Sequence, residues 1–147
     1  KELQTLLQKA CERVQASVHP KALEILSSRS RGTPRVALRL LQRSLDFSLS
    51  FGEEMLSEKT VRICLQKLGI DQEGLDEMER KILHLIHTRY NGGPVSLKTL
   101  SHFFSEEKET IEELYEPYLV KKGFLQIGPR GRILTQKYYR KYSEWNR

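Results

Sequence analysis

Apolar residues recur at helical spacing in Leu3, Leu6, Leu7, Ala10 and Val14, so the chain opens on an amphipathic helix predicted to end near Gln15. A second, shorter helix is expected from about Pro20, through Ala22, Leu23, Ile25 and Leu26, to the serines at 27, 28 and 30. Gly32-Thr33-Pro34 is the clearest start signal, with Thr33 at the N-cap and Pro34 as first residue of a helix reaching about Leu49. Ser57 caps a fourth helix, through Val61, Ile63, Cys64 and Leu68, that stops at Gly69. Four such helices make one small bundle.

Ile70 to Leu75 reads as a joint, and a new pattern follows it. Leu75, Met78, Ile82, Leu83 and Ile86 predict a helix that Asn91-Gly92-Gly93-Pro94 ends abruptly. Ser96 caps the next, through Leu97, Leu100 and Phe103. Another begins at Ser105 or just after and runs to Lys122 with Pro117 inside it. Phe124, Leu125 and Ile127 then lead into Gly128-Pro129-Arg130-Gly131-Arg132, and Ile133 and Leu134 lead out, which is a β-hairpin. Its turn formers are expected to push Arg130 and Arg132 into solvent. A last helix runs from Thr135 to about Tyr142. Three helices followed by a basic hairpin is the order of a winged helix-turn-helix. The expected fold is mostly α: a helical bundle over 1–74, then a winged-helix domain with one hairpin wing over 75–147.

The 147 residues, 38% hydrophobic, suit two such small domains. No apolar run approaches the roughly 20 residues of a membrane span, and no stretch reads as a secretory leader, so a cytoplasmic protein with no membrane contact is expected. Cys11 and Cys64 lie among apolar helical neighbours and read as buried thiols. His19, His84, His87 and His102 have no zinc-site spacing, so no metal is expected. There is no GxxxxGK[ST] loop and no Ser/His/Asp or Cys/His set. Glu106-Glu107 and Glu112-Glu113 read as solvated helix faces rather than acid/base pairs.

The net charge of +6 matters less than its distribution. Acids dominate from Asp76 to Tyr118, whereas from Lys121 to Arg147 eight bases face only Glu144. Segregation on this scale favours a polyanionic partner. A recognition helix that reads the major groove should carry Arg, Lys, Asn or Gln, yet this one carries Glu109, Glu112, Glu113 and Glu116. If the domain binds duplex DNA, the wing does so, through Arg130 and Arg132 with Lys121, Lys122 and Lys137 nearby, as phosphate or minor-groove contacts with little sequence information. Two other readings stay open: a winged-helix transcriptional regulator with a helical dimerisation bundle, and a winged-helix adaptor for protein partners.

In the bundle, Arg29, Arg31, Arg35, Arg39 and Arg43 fall in fifteen residues, with no acid between Glu24 and Asp46. Arg39 and Arg43 read as a solvated face. Arg35 stands at the second helical position, where its charge adds to the free N–H groups and positive dipole end, a place suited to phosphate.

Five stretches then carry a resemblance: SRGTPRVALRLLQR (30 to 43), LGIDQEGLDEMERKIL (68 to 83), GGPVSLKTL (92 to 100), ETIEELYEPYLVKKGFLQ (109 to 126) and PRGR (129 to 132). They closely resemble the RuvB family of bacterial Holliday-junction branch-migration motors. The resemblance implies an AAA+ ATPase lid over residues 1 to about 75 and a DNA-binding winged helix after it. It implies that Arg35, after Pro34 in the GTPR motif, is the sensor for the terminal phosphate of ATP, and that the wing touches duplex DNA at Holliday junctions. Walker A and B segments, the magnesium site, the arginine finger and the hairpin that grips a RuvA-type partner would lie in an amino-terminal ATPase domain outside this chain. The expectation is therefore a carboxy-terminal part of a homo-hexameric DNA helicase of recombination, repair and the SOS response, inactive as an ATP hydrolase and without tightly bound ATP by itself. Lys108 and Gln136 stand where many members have proline, both at expected helix starts.

Overall fold

Four helices form the first unit of the computed structural model, which describes residues 2–142: α1 (Glu2–Arg13), α2 (Pro20–Ser28), α3 (Pro34–Ser50) and α4 (Glu58–Lys67). The predicted apolar stripes converge, with Leu7, Leu23, Leu26, Leu40, Leu41, Val61 and Leu65 in one core. Helix α1 packs on α2 and α3, and α4 covers the same pair. Local chemistry sets the ends. Ser57 Oγ accepts the Thr60 N–H at 3.1 Å to open α4, and Gly69, at φ 74°, closes it while Ile70 N–H reaches back to Leu65 O. The loops before α2 and α4 are zipped by a parallel bridge of Val18 with Leu56, which the sequence pattern did not show. Cys11 and Cys64 are free and buried, and burial pushes both thiol pKa values up.

The joint at Ile70–Leu75 is an ordered turn: Asp71 Oδ1 accepts the N–H groups of Glu73 and Leu75, both at 2.9 Å. The two compact units divide just beyond it, between Asp76 and Glu77.

The second unit holds α5 (Glu77–Tyr90), α6 (Leu97–Phe104), α7 (Lys108–Thr110), a π-helical turn (Ile111–Tyr115), α8 (Glu116–Lys121), β1 (Leu125–Gly128), β2 (Gly131–Leu134) and α9 (Gln136–Tyr142). Lys108 and Gln136 are the first residues of α7 and α9. The strands pair antiparallel, Leu125 with Leu134 through Gly128 with Gly131, leaving Pro129 and Arg130 as a two-residue turn. Val95 adds a third short rung, exchanging two backbone hydrogen bonds with Arg132 at 2.9 and 2.7 Å. Its approach is close enough that a Cβ at Gly131, at φ 131°, would lie 2.4 Å from Val95 O. Helix α9 closes the unit through Tyr138 and Tyr142, stacked at 5.6 Å, with Phe124 edge-on to Tyr142.

The recognition helix departs from the expected single helix at one place. Pro117 has no N–H, so a regular helix would lose a bond there and clash, at about 3 kcal/mol. Instead the chain widens over Ile111–Tyr115, and Glu116 N–H bonds to Ile111 O, five residues back. The extra residue rotates everything after it. Leu114, one turn beyond buried Ile111 and core-facing in a regular helix, is 63% exposed, and Glu116 is buried in its stead.

Candidate functional site

In the first unit the arginine cluster separates into two kinds. Arg29 is half-buried, and its pKa is lowered by burial and by the charge of Arg62, with Asp71 and Glu73 opposing. Arg31 is also engaged. Of the five arginines with no acid between them in the sequence, Arg35, Arg39 and Arg43 are exposed on α3, and among the described residues no salt bridge reaches them. Pro34 is the first residue of α3 and Arg35 the second. Thr33 stands at the N-cap, but its hydroxyl donates to Arg31 O at 3.3 Å and gives no cap bond. The first turn of α3, with its free N–H groups and positive dipole end, thus carries Arg35 and no acidic residue.

In the second unit Arg130 is exposed at the turn of the hairpin. Arg132 is not, which corrects the expectation that both arginines project from the tip. Strand alternation places Arg132 on the face of buried Leu134, against the recognition helix. There it forms a two-point pair with Glu116, Nε to Oε2 at 2.5 Å and Nη2 to Oε1 at 2.9 Å, with the side chains 12% and 3% exposed. The bond to Glu116 raises the guanidinium's pKa despite its burial, and the charges of Glu116 and Glu112 add to the rise. Both partners were misplaced for a visible reason. The turn ends at Arg130 and the strand resumes at Gly131, so Arg132 follows strand alternation, and Glu116 lies on a helix face that Pro117 re-phases.

The remaining predicted bases lie at the foot of the wing. Lys121 is exposed in the last turn of α8, Lys122 is half-buried just after it, and both are engaged with neighbouring groups. Lys137, on α9, donates from Nζ to Lys122 O at 2.6 Å and lies over the Phe124 ring at 5.5 Å. It caps the end of the recognition helix while its surface remains open to solvent. Glu109, Glu112 and Glu113 are exposed, so the acidic face exists with three carboxylates rather than four. Glu144 and Arg147 lie outside the described residues. Among the described residues no group of three or more His, Cys, Asp or Glu side chains could hold a metal ion, and no helix is long and apolar enough to cross a membrane.

Two family models match adjoining stretches of the chain: the RuvB AAA lid domain over residues 1–71 and the RuvB C-terminal winged helix domain over residues 72–142. The Holliday junction branch migration complex subunit RuvB of Lactobacillus helveticus is 46% identical over 138 residues, which are 94% of this chain and 40% of that protein. The subunit from Clostridium kluyveri is 41% identical over 143 residues, 97% of this chain and 41% of that protein. Among solved structures, the Thermotoga maritima RuvB Holliday junction branch migration motor superposes with a TM-score of 0.89 at 40% identity, over 97% of this chain and 48% of that one. The chain thus spans about two-fifths of the length of the curated relatives it matches. With both of its units matched and in the same order, the chain belongs to the RuvB family, as its lid and winged-helix region.

Proposed function

We propose that this chain is the nucleotide-sensing and DNA-contacting end of a motor that couples ATP hydrolysis to Holliday-junction branch migration. The observation that carries the DNA part is a division of charge. The helix that would read bases presents Glu109, Glu112 and Glu113, while Arg130 is exposed at the wing turn with Lys121, Lys122 and Lys137 at its foot. A motor that moves along any sequence gains from phosphate and groove contacts and would stall on strong base readout. The basic wing beside a repellent helix suits that task.

The α3 end fits a phosphate, since its first turn has neither a side-chain cap nor an acid and Arg35 supplies a full charge. Arg35, presented by Pro34, is the residue we assign to the terminal phosphate of ATP held with magnesium by the rest of the protein. ATP supplies the free energy of movement; this chain contributes a charged contact that reports whether the phosphate is there. A homo-hexameric ring, a RuvA-type partner engaged outside this chain, a place in SOS-linked repair and a cytoplasmic location belong to the same proposal.

The test is a titration of two unrelated duplexes at two salt concentrations. Both should bind equally and weakly, and Arg130→Ala should reduce the slope of log K against log salt by about 0.9. Glu112→Gln with Glu113→Gln should leave binding unchanged or slightly tighter. A preference for one duplex that the glutamine pair alters would replace this reading with a sequence-specific regulator.

A further inference from the structure

We infer that the Glu116–Arg132 pair is a clamp that sets the direction of the wing, so that Arg132 is a positioning residue and reaches DNA only through Arg130. This rests on the wing reading above, and three features of the second unit carry it.

The outer half of the hairpin has little else to hold it. Leu125 and Leu134 anchor its base in the core, but beyond them Ile127 is 48% exposed, Ile133 is 38% exposed and Gln126 is exposed. A two-stranded hairpin is marginal by itself and takes its orientation from whatever grips it. Arg132 is gripped at both ends. Its backbone exchanges two hydrogen bonds with Val95, just before α6, and its guanidinium is held at two points by the recognition helix. The strand is thus tied to both helices of the motif by one residue, and the turn carrying Arg130 follows from it through Gly131, whose backbone is pressed against Val95 O.

The partner is also built for the purpose. Glu116 faces inward because the π-helical turn re-phases the helix at Pro117. A guanidinium fork fits a carboxylate at two points and fixes an angle, which a lysine in its place cannot do. A latent phosphate contact would be held loosely near the surface, whereas this pair is almost wholly out of water.

Glu116→Gln separates the two roles by sign, because it keeps shape and some hydrogen bonding but removes the charge. A clamp predicts a looser wing: with its DNA-competent pose populated about a tenth as often, duplex affinity falls about tenfold while the salt slope is unchanged. Arg132→Lys should weaken binding similarly although its charge is kept. Were Arg132 a contact restrained by Glu116, Glu116→Gln would bind tighter with a steeper slope and Arg132→Lys would be nearly silent; either result overturns the clamp. Nuclear magnetic resonance gives a readout that needs no DNA. In Glu116→Gln the amide protons of Val95 and Arg132 should exchange at least about tenfold faster, while those of α5 stay protected and report an intact fold. Unchanged exchange at Val95 and Arg132 removes the clamp whatever the DNA result. Failure of the parent chain to bind either duplex removes the wing reading and leaves this measurement standing.

Discussion

The two basic regions of this molecule look alike in the sequence and differ in kind. On α3, Arg35, Arg39 and Arg43 stand four residues apart, exposed, with no salt bridge among the described residues. On the wing, Arg130 and Arg132 stand two apart, and one is in solvent while the other is locked on Glu116. The difference follows from geometry. A helical step of four returns a side chain to the same face, so a charge stripe on an outer face stays outside along its length. A strand step of two does the same, but Arg132 shares its face with Leu134, and that face is the core. A count of charges therefore says little about contact with an anion until the phase of each element is known.

The sharpest way to break the comparison is to remove Arg132. Arg132→Ala leaves Glu116 buried without its partner and should destabilise the second unit by roughly 3–5 kcal/mol. Arg130→Ala, with the same change of charge, should stay within about 0.5 kcal/mol. Chemical denaturation followed by probes in each unit would show it. Equal effects of the two substitutions would mean that Arg132 is as free as Arg130.

On α3 the largest effect belongs to function rather than stability. In the whole protein, Arg35→Ala should lower ATP hydrolysis by roughly a hundredfold, the size of loss seen when one preorganised donor to a developing charge is removed. The fold should be intact, because Arg35 is exposed and makes no salt bridge among the described residues. Unchanged turnover would take Arg35 out of the nucleotide site and leave α3 a solvated face.

Most of the helices were legible because their signals are local. The N-cap serines Ser57 and Ser96, Pro20 and Pro34 at first turns, and Gly69 at a helix end each act within a few residues of themselves. What was illegible depends on contacts across the chain. Val95 joins the sheet only because β2 passes beside it, and nothing in a single apolar residue before Ser96 announces a rung. Glu116 is the more instructive case, since its inward turn needs both Pro117 and an arginine sixteen residues on. The proline was visible inside the helix, and its local consequence, a change of phase, could have been drawn from it. Arg132 was within reach too, because pairing Leu125 with Leu134 places Arg132 on the buried face. In the second unit the basic residues were legible as charges, but which of them face solvent depends on the phase of the element that carries each one.

A smaller test lies in the first unit, where Glu53 joins the end of α3 to the start of α4. Its carboxylate accepts Ser48 Oγ at 2.9 Å and Ser57 Oγ at 2.8 Å, and hydrogen bonding by Thr60, with that by Ser57 and Ser48, holds its pKa below the usual carboxylate range. A depressed folded-state pKa means that the stabilisation is complete above the unfolded value, about 4.3, and is lost as pH falls through the folded value. The stability advantage of the parent chain over Glu53→Gln should thus be constant near neutrality and shrink as pH drops below about 4.3. Thermal unfolding between pH 7 and pH 3 measures it. An advantage that grows on acidification would contradict the network.

The smallest expected effect tests the α3 stripe itself. Arg39 has like charges four residues away on both sides, Arg35 and Arg43, and a like-charged pair at that spacing costs a few tenths of a kcal/mol. Other helices here pair opposite charges at the same step, Glu58 with Arg62 on α4 and Glu77 with Lys81 on α5. Replacing Arg39 by glutamine should therefore stabilise the first unit by about 0.4–1 kcal/mol in low salt, the sum of two relieved repulsions. Arg39→Glu should stabilise it further, since each repulsion becomes an attraction. Both gains should fade near 1 M salt, where the screening length is about 3 Å and exposed charges no longer sense a helical turn's distance. A loss of stability in low salt would mean that Arg39 is held by a carboxylate after all, and the contrast between an open stripe on α3 and a locked arginine on the wing would fail at its open end.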